Sequence, residues 1–282
     1  MSSVVKKTMN TPDNFYRAFE DRFRGSRELI SSRLQSYLPF VLPLLEISES
    51  NSAMDLGCGR GEWVEILRAH GFNSFGVDLD EGMLTACREL NLQVHHADAL
   101  AHLNSLPDNS QTIVSAFHLV EHLPFDSVTT MVTEALRVLQ PGGLLILETP
   151  NPENIVVGTN NFYLDPTHQK PLPHQLLSFL PEFIGFQRTK VLRLHEAEEL
   201  LRSTSPGLRE VLIGASPDYA VIAQKDAPAA VLAKFGDSFE LSYGLSLEHL
   251  AATYDASVNA QSQHIGCLTE QVASVTQQTA EA

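Results

Sequence analysis

Residues 54–61 read MDLGCGRG, and this short stretch decides the fold. Its three glycines, Gly57, Gly59 and Gly61, alternate with other residues after the acid Asp55. Because glycine lacks a Cβ atom, such a loop lets the backbone approach a ligand closely. The spacing differs from the GxGxxG fingerprint of dinucleotide-binding loops, and an acid before the loop would repel a pyrophosphate. The stretch therefore favours a nucleotide-like ligand that carries a cationic or amino group.

Two further acids stand where the next two predicted strands end. Asp78 lies in GVDLD and Asp98 lies in HHADAL. The carboxyl ends of parallel strands form the edge where open α/β sheets bind ligands, and an acid at the position of Asp78 accepts hydrogen bonds from ribose hydroxyls in such folds. A single acid here is more often a turn residue or a helix cap. Three at successive strand ends predict one adenosine-shaped site.

The surrounding sequence predicts an α/β fold. From Ala53 onward, short apolar runs that end in Gly or Asp alternate with amphipathic stretches, which indicates a parallel sheet covered by helices on both faces. The last two strands are expected within residues 185–194 and 219–224, after a helix over 173–183. Apolar residues at helical spacing predict that residues 13–45 form helices that lead into the core.

The motifs together resemble those of class I S-adenosylmethionine-dependent methyltransferases. AMDLGCGRG resembles the first motif of that family, GVDLD its ribose-binding acid and ADAL its adenine-reading position, and AFHLVEHLP and LQPGGLLILETPN also fit. The resemblance covers about residues 51–224. It implies a Rossmann-like, seven-stranded, mostly parallel sheet with S-adenosylmethionine as cofactor. The expected domains are N-terminal helices over the cofactor pocket (1–48), the methyltransferase domain (49–226) and a helical tail (227–282).

The resemblance also implies a set of cofactor contacts. Asp55 would hold the methionine amine through the loop or a water, and Asp98 with Ala99 would read the adenine. The methionine carboxylate needs a cationic or hydroxyl donor; the candidates are Arg33 and Tyr16, whose alternative roles are a helix surface and a core aromatic. The full set is Tyr16, Arg33, Asp55, Gly57, Gly59, Gly61, Asp78, Leu79, Asp98, Ala99, Phe117, His118 and Leu119.

Methyl transfer from a sulfonium is an in-line displacement, so the enzyme mainly aligns acceptor, methyl group and sulfur. A hydroxyl acceptor must also lose its proton, and this calls for a general base. Candidate catalytic residues lie in two segments, FHLVEHLP and NNFYLDPTHQKPLPH. They are His168, His122 and Asp165.

The first of these segments also has metal-ligand spacing. In HxxEH, the residues His118, Glu121 and His122 fall on one face of a helical turn. Methyltransferases acting on small-RNA ends and on ubiquinone precursors show ExxEH here and hold a divalent ion with a later histidine, which would be His168. This chain has a histidine at the first position, so we expect no metal. The favoured role of Glu121 and His122 is to shape the acceptor pocket or cap the helix, and a site of these four residues is the weaker alternative.

The sequence predicts a substrate loop over residues 149–186, which read TPNPENIVVGTNNFYLDPTHQKPLPHQLLSFLPEFIGF. The segment is too polar for a core strand and too rich in Pro and Asn for a helix. The segment resembles parts of bacterial methyltransferases encoded with surface-polysaccharide synthesis, including enzymes that cap O-antigen chains. This implies an O-methyltransferase for a sugar or terminal phosphate of a lipid-linked glycan. Candidate contacts are Asn160, Tyr163, Asp165, His168 and Lys170, and the alternative is a structural loop tied by its own side chains.

Composition limits the other classes of function. A net charge of −15 disfavours nucleic acid, and three cysteines without CxxC spacing indicate neither a disulfide framework nor a cysteine zinc site. The longest apolar run is too short for a membrane span. We expect a cytoplasmic protein that reaches the inner face of the membrane through its partners. A quinone-type or other small-molecule O-methyltransferase remains an alternative.

The tail carries apolar residues at alternating spacings of three and four, a weak heptad. One interpretation is an amphipathic helix packed back on the domain. The other is a coiled coil that self-associates or docks a glycosyltransferase. In a third functional hypothesis, the domain is a cofactor-binding scaffold that recruits glycan assembly enzymes through this tail.

Overall fold

The computed structural model describes residues 25–47 and 50–281. Its centre is a seven-stranded sheet in the order β3-β2-β1-β4-β5-β7-β6. The strands β1 to β5 pair in parallel, and β7 runs antiparallel to both β5 and β6. The predicted fold, a mostly parallel seven-stranded sheet, is confirmed. The strands are β1 Ser52–Leu56, β2 Asn73–Asp78, β3 Val94–His96, β4 Gln111–Phe117, β5 Leu139–Pro150, β6 Arg188–Leu194 and β7 Asp218–Gln224.

Helices cover both faces of this sheet. The α-helices are α1 Arg27–Leu34, α2 Leu38–Val41, α3 Glu62–Ala69, α4 Glu81–Glu89, α5 Ala99–Ser105, α6 Phe125–Val138, α7 Ile155–Thr159, α8 His174–Ile184, α9 Glu198–Leu201, α10 Leu208–Ile213, α11 Ala229–Leu232 and α12 Leu247–Glu281. Short 3-10 turns occupy Gln35–Tyr37, Leu42–Glu46, Val120–His122, Asn161–Leu164 and Ala233–Phe239.

The core is divided by the sheet into two layers. All seven residues of β4 are buried, as expected for a central parallel strand with both faces covered. One layer packs α6 and α8 against the sheet through residues such as Val132, Leu147 and Leu177. The other packs the N-terminal helices and residues 233–239 against the opposite face. The carboxyl ends of the strands stay open between the two layers.

The N-terminal segment is helical or 3-10 over residues 27–46. Pro39 and Pro43 each stand in the first turn of a short helical segment, where a missing backbone N–H is tolerated. Tyr37, Phe40 and Leu44 are fully buried against the sheet. The segment is therefore part of the core, and its first helix contributes Ile30, Arg33 and Leu34 to the cavity described below. Tyr16 lies outside the described residues.

The tail is a helix of 35 residues, α12. Its start is anchored because Leu250 packs against Val211, Ala215 and Leu245. Residues 258–281 are exposed at every position, so only the first turns of α12 pack against the domain. No helix within residues 25–47 and 50–281 is long and apolar enough to cross a membrane.

We expect a chain that ends at Ser257 to keep the stability of the domain. The removed residues make no buried contact with it, so the free energy of unfolding should change by less than about 0.5 kcal/mol. Urea unfolding of both chains at low protein concentration measures this. A loss of several kcal/mol would show that the exposed helix supports the core.

Candidate active site

A cavity of about 630 Å³ opens at the carboxyl edge of the sheet, above β1, β2 and β4. It brings together most of the residues predicted from the sequence to bind the cofactor. Those that line it are Arg33, Asp55, Gly57, Gly59, Asp78, Leu79, Asp98, Ala99, Phe117, His118 and Leu119.

The glycine loop is held by the acid at the end of β2. Asp78 accepts a hydrogen bond from the backbone N–H of Gly59 at 2.8 Å with one carboxylate oxygen, and from that of Asp80 at 2.8 Å with the other. Gly57 and Gly59 have φ angles of +67° and +51°, a region that glycine enters without strain. Each oxygen of Asp78 keeps a second lone pair, so the carboxylate can still accept bonds from two ribose hydroxyls.

Gly61 does not line the cavity. Its φ is +76°, and a Cβ there would lie 2.7 Å from Leu92 Cδ1 and 2.9 Å from Cys87 Sγ. The third glycine therefore lets α4 and the chain after it pack closely against the loop. The glycine at this motif position is thus explained by close packing and not by contact with a ligand.

Apolar and polar groups alternate at the adenine end of the cavity. Leu79 is 64% exposed, an unusual state for a leucine, and it lines the cavity with Met83 and Leu100. Asp98 caps α5 by accepting a hydrogen bond from Ala101 N at 2.8 Å. The apolar side chains offer a surface for a flat base, while Asp98 and the amide of Ala99 offer polar contacts at its edge.

At the opposite end, the cavity holds groups suited to an amino acid moiety. The buried carboxylate of Asp55 accepts a hydrogen bond from Ser115 Oγ at 2.8 Å. Arg33 of α1 contributes a guanidinium to the wall. Trp63 also lines the cavity, and its buried Nε1 has no hydrogen-bond partner among the described residues. A carboxylate between Arg33 and Trp63 would satisfy this N–H, so the residues fit the methionine end of S-adenosylmethionine.

The cavity floor contains a charged network that sequence reasoning missed. Glu148 of β5 is buried, accepts a hydrogen bond from Tyr37 Oη, and lies 3.1 Å from His118 Nε2. The other ring nitrogen of His118 lies 3.2 Å from Glu121. Burial alone would lower the pKa of His118, but its hydrogen bonds to Glu121 and Glu148 outweigh this and hold the pKa well above its usual value.

The three predicted catalytic residues meet at the cavity mouth. The rings of His122 and His168 have centroids 4.7 Å apart. His122 Nδ1 lies 2.8 Å from Thr167 Oγ1, and His168 Nδ1 lies 2.6 Å from the carbonyl of Phe162. Asp165 accepts bonds from the amide and hydroxyl of Thr167, so it also closes its own turn.

Other predicted loop contacts lie away from the cavity. Asn160, Tyr163 and Lys170 are exposed and absent from its lining, and Lys170 lies over the ring of Phe125 at 5.3 Å. The loop therefore contributes mainly through Asp165 and His168.

The metal alternative gains partial support. Ligand atoms of Glu121, His122 and His168 lie within 4.8 Å of one another. His118 does not complete the set, because its two ring nitrogens are engaged by the carboxylates of Glu121 and Glu148. Glu121 already accepts from His118 and, at 3.0 Å, from Thr149 Oγ1. The arrangement is explained without an ion.

Gly61→Ala tests the packing role of the third glycine. Gly71 also has a positive φ, of +97°, but nothing lies within 4 Å of a Cβ there, so Gly71→Ala reports backbone strain alone. We expect Gly61→Ala to lower the free energy of unfolding by about 1–3 kcal/mol more than Gly71→Ala, because Leu92 and Cys87 must move. Urea titration measures both, and equal losses would contradict the packing explanation.

Comparison with known proteins agrees with this geometry. A family model described as a methyltransferase domain matches residues 54–147. A probable S-adenosylmethionine-dependent methyltransferase of Mycolicibacterium smegmatis is 32% identical over 136 residues, which are 48% of this chain and 51% of that protein. A ubiquinone biosynthesis O-methyltransferase of Hydrogenovibrio crunogenus is 32% identical over 36% of this chain and 44% of that protein. The chain thus spans about half the length of these curated relatives.

One solved structure covers the fold more fully. The crystal structure of an S-adenosylmethionine-dependent methyltransferase from Archaeoglobus fulgidus is 32% identical, has a TM-score of 0.66, and aligns with 75% of this chain and 100% of its own. The chain belongs to the S-adenosylmethionine-dependent methyltransferase family.

Proposed function

We propose that this protein transfers a methyl group from S-adenosylmethionine to a hydroxyl group of its acceptor. The proposal is carried by one observation: the residues expected to bind the cofactor and those expected to bind the acceptor line the same cavity. Its adenosine end is built by Asp78 and Leu79, and its mouth is built by His122 and His168. Donor and acceptor thus share a single enclosed space, and this arrangement supports direct in-line transfer.

In this proposal the cofactor lies along the strand edge. Asp78 accepts bonds from the ribose hydroxyls, Leu79 packs on the adenine, and Arg33 with Trp63 binds the methionine carboxylate. Asp55, fixed by Ser115, accepts from the methionine amine directly or through water. Each contact uses a group that the structure places on the wall of the cavity.

The acceptor enters by the mouth. His122, His168 and Asp165 supply polar contacts, and Leu119, Leu123 and Leu164 supply apolar ones. Within the described lining, Arg33 is the one Lys or Arg side chain, and the methionine carboxylate uses it. A phosphate acceptor would therefore lack a positioning cation of this kind, so a hydroxyl is favoured over a terminal phosphate.

For the acceptor molecule, a sugar hydroxyl of a lipid-linked or surface glycan is the first candidate. It is supported by the resemblance of the loop over residues 149–186 and by the polar side chains that this loop brings to the mouth. In the same proposal, the exposed residues of α12 serve association, with a glycosyltransferase or a second copy as partner. Val258, Ile265, Leu268, Val272 and Val275 are exposed there, the first two seven residues apart and the rest at spacings of three and four.

A dihydroxybenzene of the quinone type is the second candidate. Its support is the similarity to relatives named for ubiquinone biosynthesis, together with the leucines at the mouth. An aromatic diol would pack its ring on these leucines while its hydroxyls faced the histidines.

Transfer of labelled methyl from S-adenosylmethionine distinguishes these classes. We expect label in methyl hexopyranosides or extracted lipid-linked glycan when the acceptor is a sugar, and in catechol when it is a quinol. His168→Ala should reduce transfer, and His264→Ala on exposed α12 is the matched control. If no hydroxyl compound takes up label and deletion of residues 258–281 alone abolishes function in cells, the scaffold hypothesis replaces this proposal.

Asp78→Ala tests the placement of the cofactor. The variant loses a charged acceptor of ribose hydrogen bonds, worth about 1.5–3 kcal/mol, so the Kd for S-adenosylmethionine should rise about 10- to 150-fold. Isothermal titration calorimetry measures the change. Asp126→Ala, an exposed acid on α6, is the control, and an unchanged Kd for Asp78→Ala would overturn the assigned site.

We expect transfer to be independent of a divalent ion. At the position where a fourth ligand would stand, both ring nitrogens of His118 face carboxylates, and Glu121 is engaged by His118 and Thr149. Turnover should survive treatment with EDTA and should not respond to added Mn²⁺ or Mg²⁺. Loss of turnover on chelation, with recovery by Mn²⁺, would instead assign Glu121, His122 and His168 as ligands.

A further inference from the structure

A second histidine–carboxylate pair lies on the cavity wall beyond the residues already assigned. His195 follows β6, and Asp218 begins β7. The antiparallel register places Asp218 opposite Leu194, so the two side chains meet, with His195 Nδ1 2.9 Å from Asp218 Oδ2. Both residues line the cavity.

The other nitrogen of His195 is unusual. Nε2 is buried and has no hydrogen-bond partner among the described residues, and the side chain is only 9% exposed. In the neutral ring that donates Nδ1–H to Asp218, Nε2 carries a lone pair and no proton. A buried acceptor left in this state is unfavourable, and a donor brought by a ligand would relieve it.

The backbone at His195 is also strained. Five residues other than glycine have a positive φ within the described ranges, and three of them are asparagines, which tolerate this region. The remaining two are His118 and His195, with φ of +53° and +70°. Both line the cavity and both pair with carboxylates. Strain of this kind persists where the surroundings hold a side chain in a required position.

The sheet places His195 on the acceptor side. Cofactor residues lie at the ends of β1, β2 and β3, whereas β5 and β7 lie on the far side of β4. A group on the segment between β6 and β7 therefore faces the cavity from the side opposite the adenosine end. The transferable methyl group must pass between these two sides.

Other bases in the cavity are less suited to take a proton. Both ring nitrogens of His118 are already engaged by Glu121 and Glu148. Burial lowers the pKa of His122. Nδ1 of His168 pairs with the uncharged carbonyl of Phe162. One carboxylate oxygen of Asp165 already accepts a hydrogen bond from the amide of Thr167. His195 alone among these combines a free ring nitrogen with a carboxylate that stabilises the imidazolium once it forms.

We propose that His195 is the proton acceptor of the methyl transfer and that Asp218 is its positioning residue. The inference rests on the proposed hydroxyl methylation. The acceptor oxygen bonds to the methyl carbon, the carbon–sulfur bond breaks, and sulfur leaves with the electron pair as the thioether of S-adenosylhomocysteine. The hydroxyl proton passes to Nε2 of His195 and then to solvent, while Asp218 remains ionised.

His195→Asn is the first test, because asparagine tolerates the left-handed backbone and is smaller than histidine. On catechol or a methyl hexopyranoside, whichever the parent methylates, kcat should fall about 10²- to 10⁴-fold. The KM and the Kd for S-adenosylmethionine should stay within about threefold, because the residue acts on the transition state. Added imidazole should restore part of the rate. The matched comparison is His168→Asn.

Asp218→Asn tests the positioning role. The kcat should fall with little change in KM. The asparagine amide can donate to Nδ1 and thereby favour the tautomer of His195 that carries its proton on Nε2. Nitrogen-15 NMR of the imidazole provides a readout that needs no acceptor. In the parent, Nδ1 should carry the proton and Nε2 should be bare, and Asp218→Asn should redistribute the proton between them.

The outcomes separate this inference from the proposed function. If His168→Asn abolishes turnover and His195→Asn does not, hydroxyl methylation stands and the assignment of His195 is wrong. If NMR finds the proton on Nε2, the assignment is also wrong, whatever the acceptor. If neither probe is methylated while the NMR shows a bare Nε2, the proposed acceptor class fails and the geometry of the pair is retained.

Discussion

The buried carboxylate of Glu148 is the charge around which the site is arranged. Taking a carboxylate out of water costs several kcal/mol unless hydrogen bonds replace the lost solvation. Tyr37 and His118 supply those bonds. Tyr37 belongs to the N-terminal segment, so the need to satisfy Glu148 ties that segment to the sheet. The ring of His118, bonded to Glu121 as well, holds the turn after β4 against β5. The cavity owes its shape to this network.

Local patterns were sufficient to predict which residues line the cavity at the ends of β1 and β2. Asp55, Asp78 and Asp98 each follow a strand, and parallel strands necessarily bring their carboxyl ends to one edge. No knowledge of distant contacts was needed. Gly61 shows the limit of this reasoning. The motif predicts that Gly61 contacts the ligand, whereas the structure explains this glycine by packing. Only the neighbouring side chains of Leu92 and Cys87 reveal that reason.

The rest of the site depends on contacts between distant parts of the chain. Tyr37 and Glu148 are 111 residues apart, and His195 and Asp218 are 23 apart. Neither pair has a local motif. One signal was present for Glu148, since it is the single acid in the apolar run GLLILE. For His195 and Asp218 the sequence offered nothing comparable, because their meeting follows from the antiparallel register of the last two strands.

The prediction that residues 149–186 are too rich in Pro and Asn for a helix is wrong, because Ile155–Thr159 and His174–Ile184 are helical. Asn151 and Asn154 donate side-chain hydrogen bonds to backbone carbonyls within residues 213–216, so part of its polar character anchors the loop to the segment before β7. That segment continues into Asp218. The loop that carries His168 to the mouth and the strand that carries Asp218 to the floor are thus fastened to each other. The buried asparagine bonds thus fix the spacing of two walls of the cavity.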